Sequence, residues 1–373
     1  MRLSRVQSSD NNTKAFLELL KAGLWEKEVQ ILPCGKVDYE VISRLADEQS
    51  VMGLVTAGLE HVKDVIAGQG VLLQFVGQTI QLEARNKAMN HFIAALINKL
   101  RCEGIYALLV KGQGIAQCYE RPLWRAPGDV DLFLDLENYK KASVFLGGIA
   151  TSLGEEMHKT LHLDMIVDGW SVELHGTLGS QLSKKIDRFL LELQDECFCK
   201  GCVRSWRNGE TDVFIPAVDN DVIFVFTHIL QHLFKGGIGI RQVCDWCRLL
   251  WIYRESLDRG LLELRIKKMG LMTEWKTFAS LAVNTLGMPE DAMPLYEKKY
   301  KKKSEKLLGF ILEVGNFGHN RELSYTMEQS AFVRKYNITK AQLKDSIRLM
   351  TLFPVDAPIF FLNFLGEGLK KAV

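Results

Sequence analysis

Leu109-Val-Lys-Gly-Gln-Gly-Ile-Ala-Gln-Cys-Tyr-Glu-Arg-Pro-Leu-Trp-Arg-Ala-Pro-Gly-Asp-Val-Asp-Leu-Phe-Leu-Asp135 decides how the rest of the chain is read. Near its end lies Gly128-Asp129-Val130-Asp131, followed at once by the apolar Leu132-Phe133-Leu134. In a strand alternate side chains share a face, so Asp129 and Asp131 point the same way. Two carboxylates held together repel unless a cation or proton offsets the charge. Hard dications such as Mg²⁺ take such oxygens together with substrate phosphates. An Asp-x-Asp pair alone is also satisfied by two solvated acids at a strand end. The surrounding sequence must decide.

Working outward, Ile105 to Val110 is a short continuous apolar run, as for a strand buried on both faces. Lys111 stands at its end, where an ammonium can neutralise phosphate oxygens or simply meet solvent. A short helix follows through Gly114 to Tyr119. Arg125 lies four residues ahead of Asp129 in a loop bracketed by Pro122 and Pro127. It is read either as a phosphate clamp or as the partner of an aspartate. Residues 137–147 read as a helix and 161–167 as a strand. Asp168-Gly169 is a hairpin signal, after which Trp170 to His175 returns antiparallel. Alternation puts Val172 and Leu174 on one side of that strand and Glu173 and His175 on the other.

The order of an apolar strand with Lys111-Gly112, a short helix, Arg125, Gly128-Asp129-Val130-Asp131, a helix, a strand pair and Val172-Glu173-Leu174-His175 resembles a poorly characterised bacterial nucleotidyltransferase family. That family lies within the DNA polymerase beta-like superfamily. Where the superfamily usually has Gly-Ser after its first strand, this chain has Lys111-Gly112-Gln113-Gly114. The resemblance implies an α+β fold: a small mixed sheet flanked by N-terminal and C-terminal helical regions. It implies transfer of an NMP from an NTP to a hydroxyl or similar acceptor, assisted by Mg²⁺ in a two-metal site, with Mn²⁺ as the other admissible ion. Asp129, Asp131 and Glu173 then hold metal and carry catalysis, and Lys111, Gly112, Arg125 and Gly128 meet the nucleotide. His175, His228, His232, Arg241 and Asp245 form a second tier. ATP is the reference nucleotide, and the acceptor is a small molecule before a protein or RNA. The rival readings are a non-catalytic nucleotide-binding or antitoxin-like module on the same fold and a small-molecule phosphotransferase.

The flanks divide the chain into residues 1–103, helical, 104–215, the core, and 216–373, helical again. The longest apolar stripe runs from 72 to 100, and Asp38 is an N-cap candidate. Residues 183–215 read as a connecting region. They contain Cys197, Cys199 and Cys202, and with Cys244 and Cys247 these raise zinc as a minor reading against incidental thiols. His228 and His232 are i and i+4 on one helix face, as are Arg241 and Asp245. The glutamate of a zinc protease is missing beside His228, and Gly236-Gly237-Ile238-Gly239 is a turn with no preceding strand. Lys298 to Lys306 is a lysine run read as a solvated face, and 359–365 an apolar tail packed on the helices.

The totals bound these readings. The 373 residues are long enough for two or three structural units, and 47% hydrophobic with 25% charged is the composition of a soluble globular protein. A net charge of +2 gives no general case for nucleic acid. The polar start MRLSRVQSSDNN has no secretory apolar stretch, and no run reaches the roughly 18 residues of a membrane helix. Eight cysteines in such a length read as reduced thiols of a cytoplasmic protein.

Overall fold

The computed structural model describes residues 2–64, 67–157, 161–315 and 331–362. The site is organised by a five-stranded mixed sheet: β1 (Leu108–Val110), β2 (Val130–Phe133), β3 (Ser152–Leu153), β4 (His162–Val167) and β5 (Trp170–His175), in the order β1-β2-β5-β4-β3. β2 runs antiparallel to β1 and parallel to β5, and β4 and β5 form the hairpin. Asp168 and Gly169 at its tip both have positive φ, 50° and 80°, as a two-residue primed turn requires.

Alternation along these strands separates two cores. Val130, Leu132, Leu163, Met165, Val172 and Leu174 join one buried cluster with Ile93, Leu96 and Leu100 of the long helix and Tyr139 and Leu146 of the next. Phe133, on the opposite face, belongs to the larger helical core and meets Phe198 and Phe224 edge-on. One face is therefore wholly apolar, while the other mixes Phe133 with Asp131, Glu173 and His175. Truncating Leu132, which is fully buried, to alanine would cost about 2–5 kcal/mol.

The N-terminal part contributes α1 (Arg2–Trp25), α2 (Tyr39–Glu48), α3 (Met52–Glu60) and α4 (Gln69–Cys102). Asp38 caps α2 by accepting a hydrogen bond from the Glu40 amide. Gly23 and Gly58 let α1 and α3 touch backbone to backbone: a Cβ on Gly23 would lie 1.8 Å from the Leu54 carbonyl oxygen. α4 has 34 residues, about 51 Å at helical rise, and lies under the apolar sheet face.

α5 (Gly112–Ala116) follows β1 and α6 (Leu136–Gly147) follows β2. Residues 183–215 are more ordered than a connection. They form α7 (Lys184–Cys199), capped by Ser183, and a second hairpin of β6 (Val203–Asn208) and β7 (Thr211–Pro216). Val213 and Ile215 complete the sheet-face core. Next come α8 (Val218–Lys235), α9 (Ile240–Ile252), α10 (Arg259–Met269), α11 (Met272–Asn284), α12 (Lys301–Val314) and the helix Ala331–Leu352. Their centre is aromatic, with Trp246 and Trp275 edge-on at 4.8 Å and Phe226 against both. Phe360 packs on Phe234, whereas residues 363–365 of the apolar tail lie outside the described residues. The lysine run spans the 3-10 turn Lys298–Tyr300, where Lys299 pairs with Glu297, and the first turns of α12, where Lys303 lies over the Phe353 ring. The architecture is α+β, a mixed sheet flanked by helical regions.

Candidate active site

The polar sheet face is set by pairing. Asp131 lies beside Glu173 in the parallel β2–β5 ladder, and Asp129 precedes β2 at its exposed start. Burial is the first effect that pushes the Asp129 pKa up. Like charge on Glu173 and Asp131 adds to it, against a hydrogen bond with Ser171 and attraction by Lys111.

Lys111 places its Nζ 2.7 Å from Asp131 Oδ1, and His175 Nε2 is 2.9 Å from the same oxygen. Lys111 does so from a left-handed backbone, φ 59°, with Gly112 also at positive φ, 43°. A lysine held there marks a strained turn at a polar site. Glu173 Oε2 in turn lies 3.3 Å from His162 Nε2 and 3.4 Å from His175 Nε2, and the two imidazoles stack with centroids 4.8 Å apart. Burial works to raise the Glu173 pKa, but hydrogen bonds with His162 and His175 overcome it and hold the carboxylate ionised. Burial works to lower the His175 pKa, and its contacts with Asp131 and Glu173 overcome it in the other direction.

This face opens onto two adjoining cavities. One, of about 270 Å³, is lined by Lys111, Gly112, Arg125, Gly128, Asp129, Asp131, Arg241 and Asp245. The other, of about 220 Å³, is lined by His162, His175, Thr227, Gln231 and Lys235. Lys111, Glu173, His228 and His232 border both. Burial, then the nearby Lys111 charge, keeps both α8 histidines neutral, His232 down to about 4. Their rings are 4.1 Å apart, as one face of a helix dictates.

Arg125 had two readings from sequence, and the structure gives it an aspartate partner far along the chain. Its Nε and terminal nitrogen grip Asp245 at 2.7 and 2.9 Å, while its remaining nitrogen donates to the Ala126 carbonyl. Tyr119 donates to Asp245 at 2.7 Å, and Arg241 stands 3.8 Å away. Burial and the Arg125 charge lower the Arg241 pKa, and its buried Nε has no hydrogen-bond partner among the described residues. Arg241 and Asp245 thus border the cavity of the aspartate pair, and only His228 and His232 of the second tier reach both cavities.

Sequence reasoning did not single out His162, Asp164, Tyr119, Gln231 or Lys235. The first two were within reach: a two-residue hairpin loop pairs Val167 with Trp170 and so sets His162 opposite His175. The cysteines form no ligand cluster among the described residues. Cys244 and Cys247 are buried in α9, and burial pushes Cys197 up to about 11. The tight cluster is His162, Glu173 and His175, whose ligand atoms all lie within 4.8 Å of one another; Asp129, Asp131 and Glu173 are not drawn that close. The aspartate pair, open to a cavity and crowded by like charge, nonetheless has the oxygen donors that a hard dication takes.

A mixed sheet with an Asp-x-Asp opening one strand and a glutamate beside it on the parallel neighbour fits a nucleotidyltransferase domain. A family described as "Uncharacterised nucleotidyltransferase" matches residues 35–287, and the chain belongs to that family. No curated protein and no solved structure matches the chain. The match begins within the N-terminal helices and ends just beyond α11, so it includes the sheet, both cavities and the Arg125–Asp245 pair. Among the described residues, no helix is long and apolar enough to cross a membrane.

Proposed function

We propose that the protein is a metal-dependent nucleotidyltransferase that moves an NMP from an NTP to a hydroxyl of a small-molecule acceptor. The observation that carries this is that Asp129, Asp131 and Glu173 all line the larger of two adjoining cavities, and Glu173 borders the smaller one as well. The larger cavity takes the triphosphate. Lys111 and Arg241 supply positive charge there, and Gly112 and Gly128 leave its floor uncrowded, since a Cβ on Gly128 would meet nothing within 4 Å. Arg125 acts one step back, holding Asp245 and the loop that carries Asp129. Asp129, Asp131 and Glu173 are the ligands for Mg²⁺, with Mn²⁺ as the alternative. A dication held by these carboxylates would supply charge neutralisation for the phosphates.

The smaller cavity takes the acceptor. The neutral imidazoles of His228 and His232, with Thr227, Gln231 and Lys235, suit a hydroxylated or anionic molecule. The acceptor oxygen attacks the α-phosphorus, the bond to the bridging oxygen breaks, and pyrophosphate leaves. The hydroxyl proton passes to Glu173 or His228 on the shared wall. The protein's share is position and charge, provided before the reaction begins.

The test is an acceptor screen with each NTP and Mg²⁺, read by product mass. A gain of one NMP supports the reading. A gain of a phosphoryl group alone replaces it with a phosphotransferase, and tight NTP binding with no product replaces it with a non-catalytic module.

A further inference from the structure

We propose that His162, Glu173 and His175 form a second metal site, which lies beside the aspartate pair, shares Glu173 with it, and is selective for a borderline first-row transition ion of the Zn²⁺ class. The three ligand atoms lie within 4.8 Å of one another, the tight grouping of such atoms among the described residues. They come from adjacent strands with His162 directly opposite His175, so the rings stack at 4.8 Å and 18° and both Nε2 atoms approach the same Glu173 oxygen.

The two contacts to Glu173 are long for hydrogen bonds, while His175 Nε2 also lies 2.9 Å from Asp131 Oδ1. The two N–O separations are 3.3 and 3.4 Å. A neutral N–H···O bond in proteins is usually about 2.9–3.0 Å. Zinc bonds of about 2.0–2.2 Å to imidazole and carboxylate give tetrahedral ligand–ligand edges of about 3.3–3.6 Å. The two Glu173 edges of the trio thus match those of a zinc-sized tetrahedron, and the third edge is no longer than 4.8 Å. Asp164 Oδ1 lies 3.1 Å from His162 Nε2 at the edge of the trio. The cavity of about 220 Å³ borders all three ligands, so an ion and a ligand molecule have access.

Donor chemistry separates this site from the aspartates. Two imidazoles and one carboxylate suit Zn²⁺ or Co²⁺, whereas all-oxygen sets suit Mg²⁺. Charge separates it too. Lys111 offsets Asp131, while among the described residues the cationic groups within 4 Å of Glu173 are imidazoles. Such an ion would stand on the acceptor side and bind an acceptor's oxygen directly. The inference rests on geometry alone and holds whether or not the protein transfers nucleotides.

The experiment is titration of chelator-treated full-length protein with Zn²⁺ in excess Mg²⁺, together with zinc-edge X-ray absorption on the loaded wild type. One equivalent of Zn²⁺ retained against Mg²⁺, with two imidazoles in its shell, is the expected result. His162→Ala should weaken binding by at least about tenfold, and Asp129→Asn should leave it unchanged. Thiolate sulfur in the absorption shell, no preference over Mg²⁺, or equal binding by His162→Ala would overturn the proposal. The wild-type spectrum decides even if His162→Ala fails to fold. A protein that holds Zn²⁺ on two imidazoles yet adds no NMP to any acceptor retires the transfer reading and keeps this one.

Discussion

Two charge clusters sit side by side on the same cavity, and the chain treats them in opposite ways. In the first, Arg125 and Asp245 have side chains only 3% and 6% exposed, and each guanidinium nitrogen of Arg125 donates within the protein. In the second, Glu173 is 25% exposed and meets its imidazole neighbours at 3.3 and 3.4 Å. The first is saturated, so its electrostatic energy goes into joining the loop before β2 to α9. The second leaves oxygens and ring nitrogens on a cavity wall at distances that a ligand can replace. Ionisable residues crowded together do not by themselves mark a site. The informative difference is whether their valences are already filled.

The sharpest way to break this comparison is Asp129→Asn. Asp129 belongs to the open cluster and its carboxylate is crowded by like charge. Removing that charge should lower NMP transfer by about 10³-fold or more, while the melting temperature stays level or rises. Pyrophosphate release and a thermal melt read both effects. Retained turnover would remove the aspartate pair from the chemistry. Asp131→Asn should be as inactive but also less stable, because Lys111 and His175 lose the oxygen they share.

The sealed cluster predicts the reverse profile. Asp245→Ala leaves two buried guanidiniums without their shared anion. Stability should fall by about 3–5 kcal/mol, seen as an earlier denaturation midpoint. Molecules that remain folded at low temperature should bind NTP within a few-fold of wild type. A stable Asp245→Ala that cannot bind NTP would place this pair in the site and erase the distinction.

A third buried acid sharpens the point away from the cavity. Glu274 on α11 is 2% exposed, and burial and the nearby Asp356 push its pKa up to about 8. The unfolded chain releases this proton near pH 4.5, so folding holds it more tightly. The contribution of Glu274 is therefore most favourable below that pH and is lost as pH rises toward 8. Glu274→Gln should flatten this decline and stabilise the protein by roughly 1–3 kcal/mol at pH 8. Melts across pH 5 to 8 that show the same slope for both proteins would refute it.

What was legible in the sequence follows from range. Asp168-Gly169 set the β4–β5 hairpin, and alternation placed Glu173 and His175 on one face, because both are local rules. The mixed sheet between helical regions also followed from the order of the motifs. The partner of Arg125 was not legible, since Asp245 is 120 residues away and only folding brings it near. α7 and the β6–β7 hairpin were legible yet unread: Ser183 caps a stripe of Ile186, Phe189, Leu190 and Leu193, and Gly209-Glu210 is a Gly-X hairpin loop. The role of His162 needed both rules at once, the turn to fix its register and the opposite strand to give it company.

Lys111 tests the smallest difference between the clusters, a cost in backbone geometry that the sealed one does not share. Lys111 sits at φ 59°, a region in which a Cβ is strained and glycine is not. Such strain costs of order 1 kcal/mol and persists where function selects the side chain. Lys111→Ala and Lys111→Gly both remove the ammonium from Asp131 and from the triphosphate cavity. Both should weaken NTP binding by about tenfold, the effect of roughly 1.4 kcal/mol. Only the glycine variant also relieves the turn, so it should melt higher than the alanine variant by the equivalent of about 1 kcal/mol. Equal melting temperatures would show that the turn bears no strain. Unchanged NTP affinity in both would show that the ammonium serves Asp131 alone, and the open cluster would then be partly saturated like its neighbour.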